Sequence, residues 1–142
     1  MTAPLLRLKV RRRFCAGAVL HQKDWSEARN REVYGVCANP RGHGHDYRLT
    51  VTVEGPLDAE TGLVVDYSAL MRLVDERVIE PVDHKHLNQD VDFLQGLTPT
   101  TENLLIQFWK RLAPGLPTGL RLLRLDLAEG EDCSCSYLGP NP

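Results

Sequence analysis

The stretch DYRLTVTVEG, residues 46–55, alternates strictly between apolar and polar side chains. Tyr47, Leu49, Val51 and Val53 fall to one side, and Arg48, Thr50, Thr52 and Glu54 to the other. Successive side chains of a strand point to opposite faces, so this pattern predicts a half-buried strand with one face on a core. Upstream, LKVRRRFCAG (8–17) reads as a first strand. Downstream, LRLLRLDL (120–127) and CSCSY (133–137) alternate as two last strands around the turn AEGED (128–132).

The segments between the strands carry a different period. LVVDYSALMRLVDERVIEPV places apolar residues at 70, 73, 74 and 78 behind Ser68, a residue type suited to cap a first turn, and Pro81 should stop this helix. A second helix is predicted from about Thr100 and Thr101, after Pro99, to about Leu112, with Leu104, Leu105, Phe108, Trp109 and Leu112 on one face. APGLPTG breaks it. The order is therefore ββααββ, an α+β chain with a four-stranded antiparallel sheet and two helices on one face. Residues 21–42 form a polar excursion too long for a hairpin loop, hence suspected of function, and Ser26 to Tyr34 within it suit a short helix.

At 142 residues the chain fits one domain, 1–142, with enough length to bury a core unaided. With 42% hydrophobic residues, a net charge of −2 and no long apolar run, neither a membrane nor a general nucleic-acid partner is expected. The basic start MTAPLLRLKVRRRF lacks the features of a leader, so a cytoplasmic protein is expected. Cys133 and Cys135 lack zinc-ribbon spacing and are predicted to bury small thiols on a strand, while Cys15 and Cys37 sit in unlike surroundings. Reduced thiols fit better than a disulfide framework.

Chemistry concentrates around GVCANPRGHGHDY, residues 35–47. His43 and His45, two apart on a strand, project together and could clasp a divalent metal, or could be two hydrogen-bonded surface histidines. Cys37 precedes them in the suspected loop, and Asp83-His84 follows Pro81. Thiol, imidazole and carboxylate are the parts of an acid–base or nucleophilic set, since an imidazole can draw the thiol proton while the carboxylate fixes its tautomer. Cys37 as a buried small residue is the alternative.

FCAG (14–17), VCANPRGHGHDY (36–47), ETGLVVDY (60–67), PVDHKHLN (81–88), PTTEN (99–103) and AEGEDCSCSYLG (128–139) resemble, in order and spacing, the 6-pyruvoyltetrahydropterin synthase family and its relative, the 6-carboxytetrahydropterin synthase of queuosine biosynthesis. The resemblance spans nearly the whole chain. It implies a tunnelling fold in which trimers close a barrel, two trimers stack into a hexamer, and active sites lie between subunits. It implies 7,8-dihydroneopterin triphosphate as substrate, with Cys37 as acid–base thiol and Asp83 and His84 as relay pair. Glu129 stands where the family anchors the pterin, with Glu131 as its rival, and Thr100, Thr101 and Glu102 match the residues that support that pocket. Plain helix capping is the other reading of the two threonines. The five residues between Cys37 and His43 resemble the pyruvoyl enzymes more than the queuosine-pathway ones.

The resemblance also implies zinc on three histidines, two of them His43 and His45 and the third in a first-strand motif F-S-A-x-H-x-L. That motif here is FCAGAVL, which puts Ala18 at the third ligand position. His21, three residues on, should face the opposite way on a strand. Zinc is thus expected only if another group completes the site. The alternative is a diverged member that catalyses a different reaction or only binds a pterin-like ligand.

Overall fold

The computed structural model describes residues 2–142. Strand β1 (Leu5–Ala18) and strand β2 (His43–Pro56) pair antiparallel over their full length, from Leu5 opposite Pro56 to Ala18 opposite His43. Strand β4 (Arg121–Glu129) pairs with the other edge of β2, and β5 (Cys133–Tyr137) with β4. A two-residue strand β3 (Lys85–His86) adds in parallel beside β1 at Ala16 and Gly17, giving the order β3-β1-β2-β4-β5. The sheet is therefore five-stranded, one short strand more than the four expected. Two residues carry no period, so β3 had no sequence signal.

Tyr47, Leu49, Val51 and Val53 all turn inward, as their alternation demands. They meet helix α4 (Thr101–Leu112), whose Leu104, Leu105, Phe108 and Leu112 are buried. They also meet α2 (Tyr67–Val74), which contributes Leu70 and Val74. Phe14 of β1 stacks on Tyr47 at 4.6 Å between ring centroids and takes the edge of Phe108 at 6.0 Å, tying strands to helix. The opposite face of β1 exposes Arg7, Lys9, Arg11 and Arg13. Glu54, between Arg7 and Arg121, neutralises part of that basic stripe.

Three local features depart from simple periodicity. Asp66, not Ser68, caps α2, its carboxylate accepting the Ser68 N–H at 3.0 Å. The helix does not stop at once near Pro81 but widens into a π turn (Asp75–Ile79) and ends in α3 (Glu80–Val82). Proline has no N–H to give the carbonyl four residues back, and the Arg111 side chain donates to that Arg77 carbonyl instead, at 2.6 Å. In β4 a bulge opposite Thr52 and Val53 resets the alternation, so that Leu122, Leu125 and Leu127 all reach the core.

The short helix α1 (Glu27–Tyr34) forms with Ser26 as its cap and runs into a 3-10 turn, Gly35–Ala38. All four cysteines are free, but β5 is an edge strand and does not bury its thiols: Cys133 is exposed and Cys135 half-buried. No helix among the described residues is long and apolar enough to cross a membrane.

Candidate active site

The end of the sheet where β2 begins and β4 ends gathers the ligating side chains. Strand alternation puts His43 and His45 on the core-side face with Tyr47, and the imidazole centroids are 4.9 Å apart. Tyr47 stands 5.7 Å from His45 and pairs across the ladder with Glu129. That register delivers Glu129 to the same face, with Oε1 3.0 Å from His45 Nε2 and Oε2 accepting from Thr101 Oγ1 at 3.4 Å. His43, His45 and Glu129 each offer one ligand atom, all within 4.8 Å of one another. His43 Nδ1 and His45 Nε2 are closed off from solvent without a hydrogen-bond partner, as nitrogen atoms held for a cation would be.

Burial, with the neighbouring His45 charge, lowers the pKa of His43 against the pull of Glu129 and the Ala18 backbone. Its imidazole is thereby kept neutral, the form that binds metals. Cys37 sits half-buried in the 3-10 turn, its carbonyl accepting from Leu20 N–H at 2.8 Å. Burial pushes its thiol pKa up, and the Glu129 charge adds to the rise. Cys37 is thus a protonated thiol near neutral pH, able to give a proton and in need of a base to lose one. Burial, helped by Glu129 and Cys37, also drives the Tyr47 phenol above its ordinary range. Tyr47 joins this set although its sequence position marked it only as core. The signal available was its place two residues after His45.

Asp83 and His84 lie elsewhere within the chain. His84 Nδ1 is 2.9 Å from Asp83 Oδ1, and its side chain is 80% exposed. Asp83 also accepts the Cys15 N–H, which chiefly holds its carboxyl below the usual range, with His84 adding and burial opposing. Among the described residues His84 alone, glycines apart, has positive φ, at 58°. That conformation is uncommon outside glycine, and histidine is among the residue types that adopt it more readily. The pair opens onto a cavity of about 510 Å³ whose lining includes Cys15, Asp46, Arg48 and Glu131 but not Cys37.

The remaining candidates separate. Thr100 caps α4 by accepting the Asn103 N–H at 3.2 Å, whereas Thr101 reaches Glu129. Glu102 is exposed on the first turn, where its charge acts on Cys135. Glu131 lines the cavity of Asp83 and His84, so of the two rivals only Glu129 faces the histidine pair. Ala18 is buried directly opposite His43 and offers no donor. His21 lines a different cavity with Glu27, Arg31 and His86.

Known proteins match the chain in sequence and in fold. The family profile described as 6-pyruvoyl tetrahydropterin synthase matches residues 7–140. The 6-pyruvoyl tetrahydrobiopterin synthase of Poecilia reticulata is 42% identical over 107 residues, covering 75% of this chain and 73% of that protein. The human 6-pyruvoyl tetrahydrobiopterin synthase is 36% identical over 126 residues, covering 89% and 86%. The solved 6-pyruvoyl tetrahydropterin synthase of Caenorhabditis elegans superposes with a TM-score of 0.89 at 30% identity, over 98% of this chain and 99% of that one. Matched along almost its entire length in sequence and in fold, the chain belongs to the 6-pyruvoyl tetrahydropterin synthase family.

Proposed function

We propose that the protein is a lyase of the 6-pyruvoyltetrahydropterin synthase type that eliminates triphosphate from 7,8-dihydroneopterin triphosphate or a closely related pterin. Family membership over residues 7–140 supports the reaction class. The observation that carries the reading is the cluster at the sheet end, where two imidazoles with unpaired nitrogens and a carboxylate share one face and the carboxylate's charge reaches the Cys37 thiol. Cys37 moves protons along the substrate side chain. Asp83 holds the His84 tautomer, and His84 relays protons to and from Cys37. Glu129 accepts N–H bonds from the pterin's amino-pyrimidine edge, with Thr101 fixing the carboxylate. Zinc, held by His43 and His45, would supply Lewis-acid polarisation of the side-chain oxygens.

Cys37 does not line the cavity of the Asp83–His84 pair, which supports a set completed between subunits. The sheet favours such an assembly. β5 has a free outer edge, and β3 covers only Ala16 and Gly17 of β1, leaving most of that strand's outer edge open. Pairing of these edges with neighbouring copies closes the barrel of a trimer and, by stacking, a hexamer. The free cysteines suit a cytoplasmic setting.

The test supplies 7,8-dihydroneopterin triphosphate to the zinc-loaded protein and measures triphosphate release and the pterin product. Release with formation of a pyruvoyl product supports the reading. Pterin binding with no turnover under saturating zinc leaves the second reading, a member that has lost the reaction along with the Ala18 ligand position.

A further inference from the structure

We infer that Glu129 is the third protein ligand of a divalent cation in this chain, completing with His43 and His45 a set in which a carboxylate takes the place of an imidazole. Among the described residues this is the only group of three such side chains close enough to hold one ion. His45 Nε2 and Glu129 Oε1 approach to 3.0 Å without the alignment of a hydrogen bond. Two electron-rich atoms tolerate that distance only with a proton or a cation to share, and the sealed His43 Nδ1 adds a third unpaired donor beside them.

The alternatives within the chain fail on position. Ala18 occupies the register opposite His43 with no donor atom, and His21 belongs to the cavity lined by Glu27, Arg31 and His86. Glu129 is held by the sheet itself. It is the last residue of β4 and pairs with Tyr47, two residues along β2 from His45, so its delivery to the pair does not depend on a loop.

The donor set has consequences for the chemistry. Two neutral imidazoles and one carboxylate leave a divalent ion with a net charge of about +1, against +2 with three imidazoles, and form a His₂Glu set of the kind that keeps a position open for water or substrate. With Oε1 turned to the ion and Oε2 held by Thr101, Glu129 has less acceptor capacity for a pterin. Metal binding and pterin anchoring therefore compete for one side chain. This inference rests on the site being metal-assisted, and its test reads metal without turnover.

Chelator-stripped protein is titrated with Co²⁺, following visible absorption, and zinc affinity is obtained by competition. Wild type is expected to bind one ion per chain with the absorption of a low-coordinate nitrogen–oxygen site. Glu129→Gln should weaken binding by more than about a hundredfold, since loss of even an outer-sphere partner costs about 10–100-fold. Ala18→His combined with Glu129→Gln should recover it, and His21→Ala should leave it unchanged. Circular dichroism confirms that each variant is folded, and the double variant's recovery separates ligand loss from misfolding. Wild-type affinity in Glu129→Gln, or loss of the ion in His21→Ala, would overturn the inference. Failure of the pterin assay with these metal results intact would refute the reaction and not the ligand set.

Discussion

Ala18→His places an imidazole at a position that is 2% exposed and opposite His43 in the β1–β2 ladder, on the face shared by Phe14 and Ala16. Without metal the added ring has little room. Overpacking a buried site costs about 1–3 kcal/mol, which for a domain of this size lowers the Tm by roughly 3–10 °C. With zinc the sign reverses. A complete structural site is worth about 10–16 kcal/mol, so one added imidazole should contribute roughly 3 kcal/mol, near a hundredfold in zinc affinity. Free zinc at about a hundred times Kd then returns about 2.7 kcal/mol of stability, enough to offset the packing cost. Thermal melts in chelator and in excess zinc, together with competition titrations, read both effects. A Tm that falls equally in both conditions, with zinc affinity unchanged, would show that residue 18 does not face the histidine pair. The β1–β2 register at Ala18 would fail with it, whereas the set of His43, His45 and Glu129 does not include that residue.

Cys37→Ala should abolish triphosphate release while equilibrium pterin binding survives, because the role proposed for the thiol is to move protons and not to recognise the ring; weakened binding with turnover retained would reverse that role. Phe108→Ala empties a site with no solvent exposure between Phe14 and Phe93, and should destabilise the fold by about 3–5 kcal/mol in denaturant titrations. The Asp83 carboxyl is held below its ordinary range chiefly by the Cys15 N–H, so its contribution is present above an unfolded pKa of about 3.9 and is lost as pH falls through the lower folded value. Asp83→Asn should accordingly flatten the acid limb of the stability–pH curve, and an unchanged limb would remove Asp83 from the account.

Long, strictly patterned segments were the legible ones. The alternation of residues 46–55 set the covered face of the sheet, and the apolar stripe of α4 with its Thr100 cap could be placed within a residue. Features created by partners in space were not. The β3 strand exists only because Ala16 and Gly17 lie beside it, and the bulge in β4 is visible only against β2. Asp66 outcompetes Ser68 as a cap because its carboxylate reaches the second helical N–H. At the site, the spacing of His43 and His45 foretold their shared face. The approach of Glu129 depended on the phase of a separate strand, and the exposure of Glu102 on the helix's first turn. The separation of Cys37 from Asp83 and His84 is a property of topology, since the three residue types alone suggest a single cluster.

The central claim is that the acid–base set is shared between copies of the chain. Mixing Cys37→Ala and His84→Ala proteins, each inactive alone, after dissociation and reassembly tests it directly. With random mixing in a symmetric ring, about a quarter of the sites should receive an intact thiol from one subunit and an intact imidazole from its neighbour, and triphosphate release should recover to about that fraction of wild type. A mixture as inactive as its parents, with assembly verified by sedimentation, would contradict a shared site.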